Sequence, residues 1–129
     1  MRSLPGWPFG VVGVAATVAA WLSNVWLIRR QDAWNDDVRA RHCRYLPPLP
    51  SAHLYGGAAM VLGVLAAVCL IVWVCLDARS GPRAWVMLVV LIGVAAAMLA
   101  VGIGFLFAVG APTDPGQGTD GSGLPCGSG

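Results

Sequence analysis

Three long runs that contain no Asp, Glu, Lys or Arg constrain this chain more than any other feature. They extend from Trp7 to Ile28, from Leu54 to Leu76 and from Ala84 to Ala111. A helix rises about 1.5 Å per residue, so about 20 apolar residues cross a hydrocarbon core of about 30 Å. Lipid offers the backbone no hydrogen-bond partner, and the runs lack the alternating polarity of membrane strands. We therefore predict an all-α membrane protein with three transmembrane helices.

Composition agrees with this fold class. Hydrophobic residues make up 57% of the chain and charged residues 11%, whereas a soluble domain carries about 25% charged residues. A soluble helical bundle would also need polar helix faces, which the three runs lack. The first run exceeds the roughly 7–15 apolar residues of a signal peptide and continues to Arg29 and Arg30 without a small-residue cleavage site. We predict that it is a retained helix.

The chain divides into seven segments. They are an N-terminal head (1–6), helix one (7–28), a polar loop with a proline-rich end (29–53), helix two (54–76), a short turn (77–83), helix three (84–111) and a tail (112–129). The turn contains Ser80-Gly81-Pro82, which favours a tight hairpin between helices two and three. The tail is rich in Gly, Pro and Ser and is predicted to be disordered.

The first half of the polar loop mixes both signs of charge with two apolar residues, Trp34 and Val38, at helical spacing. Asn35 could cap a short helix whose positive end would suit the carboxylates of Asp36 and Asp37. Two interpretations stay open, a surface helix lying on the headgroups and a solvated loop.

Arginine placement indicates the orientation. With three spans, the head and the turn share one side, and the polar loop and the tail share the other. Arg2, Arg79 and Arg83 lie on the first side, and Arg29, Arg30, Arg39, Arg41 and Arg44 on the second. The positive-inside rule therefore favours a cytoplasmic location for the 29–53 loop and the tail.

Two cysteines point the other way. Cys43 in the loop and Cys126 in the tail share a side, and a disulfide between them would require an oxidising compartment. Two unpaired thiols are the alternative. Cys69 and Cys75 both lie within helix two, too far apart along it to bridge, and are expected to act as small apolar residues.

Each predicted helix carries a row of small residues that would let two backbones approach closely. The rows are Ala16, Ala20 and Asn24 in helix one, Ala59, Gly63 and Ala67 in helix two, and Ala96, Ala100 and Gly104 in helix three, with Gly93 and Ala97 on a neighbouring face. The rows either pack the three helices of one chain together or face a partner. We predict that at least one row contacts a membrane-protein partner or a second copy.

The stretch from Arg44 to Pro50 reads R-Y-L-P-P-L-P and resembles the proline-rich ligands of SH3 domains. The residues that carry this resemblance are Arg44, Leu46, Pro47, Pro48 and Pro50. A polyproline helix docks in aromatic grooves at a low entropy cost, and an acidic pocket accepts the arginine. This use requires a cytosolic loop in a eukaryotic cell. The alternative is a rigid spacer before helix two.

No pattern in the sequence indicates catalysis, a cofactor or a metal. His42, Cys43, His53 and Cys126 do not show the short paired spacings of zinc sites. The net charge of +2 comes with no basic stripe for nucleic acid. The runs contain no ionisable residue for a proton pathway.

These observations lead to one functional prediction with two alternatives. We predict a small multi-pass integral membrane protein that acts as a non-catalytic accessory or assembly subunit of a larger membrane complex. The first alternative is a membrane-anchored adaptor that presents Arg44–Pro50 to an SH3 domain. The second is a small homo-oligomeric pore, in which Thr17, Ser23 and Asn24 would face a shared axis.

Overall fold

The computed structural model describes residues 6–40, 52–79, 81 and 83–110, without the side chains of residues 38 and 39. Three α-helices occupy these ranges: α1 (Trp7–Ala40), α2 (Ala52–Ala78) and α3 (Ala84–Gly110). No strand occurs within the described ranges, and all three helices are long and apolar enough to cross a membrane. The predicted all-α fold with three spans is confirmed.

The helix α2 lies between the other two. It packs extensively against both α1 and α3, whereas α1 and α3 contact each other least. Leu27 of α1 packs on Ala52 at the start of α2, and Gly13, earlier in α1, lies beside Leu70, later in α2, so these two helices are antiparallel. Because α3 is in turn antiparallel to α2, α1 and α3 run in the same direction.

Buried positions recur along the helices in alternating steps of three and four. In α2 they include Ala52, Gly56, Ala59, Gly63, Ala66 and Leu70; in α1 they include Gly10, Gly13, Thr17, Ala20, Asn24 and Leu27. In α3, Val86, Val90, Ala97, Ala100 and Gly104 are buried, and the half-buried Gly93 divides the interval of seven between Val90 and Ala97 into steps of three and four. A mean spacing of 3.5 against the 3.6 residues of a helical turn favours a left-handed supercoil. The buried residues of each helix therefore form one narrow stripe along it, its seam, which faces the neighbouring helices.

Leu70 fills the centre of the bundle and is fully buried. A Cβ atom added to Gly13 of α1 would lie 2.8 Å from Leu70 Cγ, and one added to Gly93 of α3 would lie 2.7 Å from Leu70 Cδ1. Two glycines on different helices thus make room for one large side chain. The Leu70 side chain of α2 occupies the space beside both glycines. Close packing of this kind holds helices together in lipid.

Residues 29–40 correct the sequence prediction, which placed a loop from residue 29. They continue α1 to Ala40 without a break, so Asn35 lies inside a helix and does not cap a new one. Trp34 is half-buried and packs with Tyr55 and Phe107 against Leu27 and Ala52. Extending an existing helix avoids the cost of nucleating one, and Trp34 ties the extension to the ends of α2 and α3.

The α2–α3 connection forms the predicted tight hairpin. Gly81 has a φ of 104°, a left-handed conformation that glycine adopts without steric cost. Trp73 and Trp85 meet beside the hairpin as an edge-to-face pair, with ring centroids 6.2 Å apart. Tryptophan favours the level where a bilayer meets water, and the pair lies at the hairpin end of the two apolar spans.

Several predictions concern residues outside the described ranges. They are the proline-rich stretch Arg44–Pro50, the pairing of Cys43 with Cys126, and the disorder of the tail 112–129. They stay predictions.

Candidate functional site

The rows of small residues predicted to face a partner lie largely inside the chain. Ala16, Ala20 and Asn24 of α1 are buried, as are Ala59, Gly63 and Ala67 of α2 and Ala97, Ala100 and Gly104 of α3; Gly93 and Ala96 are half-buried. Ala16, Ala66, Ala67 and Ala97 form one buried cluster. The three rows therefore pack the helices of one chain against each other, the first of the two interpretations.

The closest approach is between α2 and α3. A Cβ atom on Gly63 would lie 2.5 Å from Val101 Cγ2 and 3.0 Å from the Ala97 carbonyl oxygen. The α2 backbone thus touches the α3 backbone at this level, and Cα–H···O contacts become accessible. This surface of α2 is therefore occupied by α3 within the chain.

Two side chains of α1 donate hydrogen bonds to backbone carbonyls of α3. The indole Nε1–H of Trp21 donates to the Ala96 oxygen at 3.1 Å, and Asn24 Nδ2 donates to the Ala100 oxygen at 2.9 Å. Donors three residues apart on α1 thus meet acceptors one turn apart on α3. Two hydrogen bonds thus fix the smallest helix interface of the bundle.

The other two polar side chains in the apolar run of α1, Thr17 and Ser23, also make contacts inside the bundle. Thr17 donates to the carbonyl oxygen of Gly13, one turn earlier, at 2.8 Å, and Ser23 reaches the Tyr55 oxygen at a long 3.5 Å. Thr17 is 9% exposed and Asn24 is 1% exposed. A pore shared among several copies would need these groups on an outer face, and they are not there.

Asn24 retains one unused acceptor. Its Oδ1 atom is buried and has no hydrogen-bond partner. A buried carbonyl without a donor costs roughly 1–3 kcal/mol relative to a satisfied one. The amide nitrogen of Asn24 therefore fixes the α1–α3 register. The stability gained from its hydrogen bond is partly offset by the cost of the unpaired Oδ1 atom.

The outward faces of the helices are apolar. Large side chains on them include Val18 and Leu22 of α1, Val61 and Val68 of α2, and Leu91 and Leu106 of α3, each more than half exposed. A surface of this kind suits lipid tails, which are as apolar as leucine.

Charged side chains of the described residues collect beyond the spans. On the α1 extension, Arg29, Arg30, Asp32, Asp36 and Asp37 are all exposed. The Arg30 guanidinium carbon lies 5.6 Å from the centroid of the Trp26 ring, a cation–π distance. The order along the axis is therefore aromatic ring, then cations, then carboxylates.

His53 joins the ends of α2 and α3. Its Nδ1 atom lies 2.5 Å from the carbonyl oxygen of Ala108, and since a carbonyl can only accept, Nδ1 carries the proton. Ala108 lies in the last turn of α3, whose carbonyls have no partner within the helix. His53 thus caps α3 from the neighbouring helix.

Sequence reasoning missed three of these contacts: the Trp21 hydrogen bond, the His53 cap and the docking of Trp34. One signal was present for Trp34, since it follows Leu27 by seven residues and so continues the buried seam of α1. The two hydrogen bonds had no such signal, because their acceptors are backbone atoms of a distant helix.

Metal-binding side chains are sparse in the part of the chain that the structure describes. No group of three or more His, Cys, Asp or Glu lies close enough there to hold an ion. Cys69 and Cys75 are free thiols.

Comparisons of the chain with protein-family models, with curated proteins and with solved structures found no match. The three apolar helices by themselves fit a small multi-pass integral membrane protein, located in a membrane.

Proposed function

We propose that this chain is a non-catalytic accessory or assembly subunit of a larger membrane complex. The observation that carries the proposal is the projecting part of α1. Its twelve residues from Arg29 to Ala40 extend about 18 Å beyond the apolar span. It is a charged helical element, attached to a bundle whose helices pack closely on one another.

The filled interior supports a role through contact. Gly63 and Leu70 are buried where the helices meet, and Asn24 already donates to α3. The three apolar runs contain no Asp, Glu, Lys, Arg or His, whereas pumps and transporters place such residues along their pathways. What the chain offers to other molecules is its outer surface.

The projection is the most specific part of that surface. Asp32, Asp36 and Asp37 are exposed on it, and Trp34 packs its base against Leu27 and Ala52. A partner that approaches this helix meets a preorganised row of carboxylates, which lowers the entropy cost of binding. We expect the partner to carry arginine or lysine on an aqueous segment close to the membrane.

Photo-crosslinking in native membranes tests this proposal. A photoreactive residue replaces Asp36 on the projection in one variant and Val61, which is 69% exposed on the apolar face, in another. We expect one protein, at a fixed ratio to the chain, to crosslink at position 36. Crosslinks to lipid alone at both positions would overturn the proposal.

Charge reversal provides the control. Asp32→Arg and Asp36→Arg alter exposed side chains, so they should leave the fold intact while abolishing recovery of the partner in mild detergent. Leucine at Gly63 or Ala100 is unsuitable for this purpose, since both residues are buried between helices and their replacement would disrupt the chain itself.

The other two functional predictions have no specific structural support. The adaptor depends on Arg44–Pro50, which lies outside the described residues. Its test is loss of an SH3 partner on Arg44→Ala or Pro47→Ala without loss of membrane insertion. The pore would need Thr17 and Asn24 on an outer face, whereas both are buried.

A further inference from the structure

We propose that Arg30, with Trp26 and Arg29, forms a binding site for the headgroup of an anionic phospholipid at the base of the α1 projection. The site is separate from the carboxylates that the accessory role would use, and it does not depend on that role. Its ligand is a lipid phosphate carrying net negative charge, held where the apolar span ends.

The position of the site follows from the order of residues along α1. The apolar run ends at Ile28, and Arg29 and Arg30 come next. Both arginines are exposed, and Trp26 is 50% exposed. Tryptophan favours the headgroup level of a bilayer, so the guanidinium groups lie at the depth of the lipid phosphates.

Helix direction turns these side chains toward the membrane. Side chains of an α-helix lean toward its N-terminus, and α1 leaves the membrane with its N-terminal part embedded. The guanidinium of Arg30 accordingly lies 5.6 Å from the ring of Trp26, one turn closer to the bilayer. The cation is held beside the ring and retains its N–H donors for phosphate oxygens, which arginine binds bidentately.

The nearby carboxylates make Arg29 and Arg30 unequal as ligands for a lipid phosphate. Asp32 follows Arg29 by three residues, a spacing at which the two side chains are neighbours on the helix surface. Arg30 has Ala33 and Trp34 at the equivalent positions, and Asp37 follows it by seven residues, about 10 Å along the axis. That separation is near the Debye length of about 8 Å at physiological salt. Arg30 is therefore the principal ligand, and Asp32 competes with phosphate for Arg29.

The local charge is not simply basic, since Arg29, Arg30 and Arg39 of the projection stand against Asp32, Asp36 and Asp37, with His53 at the same end of the bundle. Binding therefore comes from layering: cations at the phosphates and anions farther out in water. A diffuse electrostatic attraction would depend on net charge alone. Removal of the Asp32 carboxylate would then increase lipid binding as much as removal of the Asp36 carboxylate.

The test uses the full chain in a neutral detergent, with native mass spectrometry to count bound lipids. Phosphatidylglycerol and phosphatidylcholine with identical acyl chains serve as probes. We expect phosphatidylglycerol to bind at least fivefold more tightly, and Arg30→Gln to remove most of that preference. Arg30→Lys should retain part of it. Equal binding of the two lipids, or an unchanged preference in Arg30→Gln, would overturn the proposal.

Three further arms separate this site from its alternatives. Arg79→Gln with Arg83→Gln removes two arginines at the opposite end of the bundle and should leave the preference unchanged. Asp32→Asn should increase phosphatidylglycerol binding more than Asp36→Asn does, whereas equal gains would indicate diffuse attraction and overturn the site. Inorganic phosphate at about 10 mM, well below the physiological ionic strength of about 0.15 M, should not displace the lipid; displacement would identify a free-anion site and overturn the lipid assignment.

Discussion

Gly56 of α2 and Gly104 of α3 meet backbone to backbone. A Cβ atom on Gly56 would lie 2.7 Å from the Gly104 carbonyl oxygen, and one on Gly104 would lie 2.8 Å from the Gly56 oxygen. The backbone cannot move away as a flexible side chain can. This pair therefore sets how closely α2 and α3 approach each other.

Alanine at Gly56 should lower the free energy of unfolding by about 1–3 kcal/mol, because the added methyl group forces the two helices apart. The chain provides a control one residue away, since a Cβ atom on Gly57 would meet nothing within 4 Å. Gly57→Ala should be neutral or stabilising by up to about 1 kcal/mol, the gain in helix propensity.

Unfolding in mixed micelles, followed by far-ultraviolet circular dichroism, measures both variants. Gly104→Ala and Gly102→Ala form a second matched pair on α3, as a Cβ atom on Gly102 also meets open space. Equal effects at the paired positions would show that the contact does not limit packing.

The two α1–α3 hydrogen bonds should each contribute roughly 1 kcal/mol to stability, the usual range for such bonds in a membrane. Asn24→Ala removes the bond to Ala100, and Trp21→Phe removes the bond to Ala96 while it keeps most of the ring. We expect both to lower the free energy of unfolding. Ser23→Ala is the control, and its smaller effect follows from its 3.5 Å contact.

Trp34 should hold the projecting part of α1 in helical form. Trp34→Ala removes its packing against Leu27 and Ala52, and a polar helix of this length is marginal without such support. We expect amide hydrogens of residues 35–40 to exchange at least tenfold faster in the variant. Trp26→Ala, which alters an exposed ring on the same helix, should leave their exchange nearly unchanged; an equal acceleration would show that Trp34 has no special role.

Orientation can be measured with single cysteines on a cysteine-free background. Asp36 and Arg79 are exposed at opposite ends of the bundle, and the arginine count predicts that position 36 is cytoplasmic. In intact cells, a membrane-impermeant maleimide should therefore label Asp36→Cys only after lysis and Arg79→Cys without it. The reverse pattern would place the 29–53 loop outside and would favour pairing of Cys43 with Cys126.

The small-residue rows show how far sequence reasoning reaches. Spacing identified Ala16, Ala20 and Gly63 as sites of close helix contact, since few other surfaces allow two backbones to touch in lipid. The same spacing cannot say which helix fills the contact. In the folded chain Ala16 clusters with Ala66, Ala67 and Ala97, Ala20 is buried, and Gly63 packs against Ala97 and Val101 of α3.

The sequence by itself determined the number of spans, the helical class and the hairpin, because lipid forbids unsatisfied backbone and Gly81 permits a sharp reversal. Tertiary structure alone decided where α1 ends and which polar groups are used. Residues 29–40 have the composition of a loop, and they are helical because α1 precedes them and Trp34 docks on distant residues. Asn24 and Trp21 find acceptors more than seventy positions away along the chain. Contacts of that separation exist only once the helices have packed.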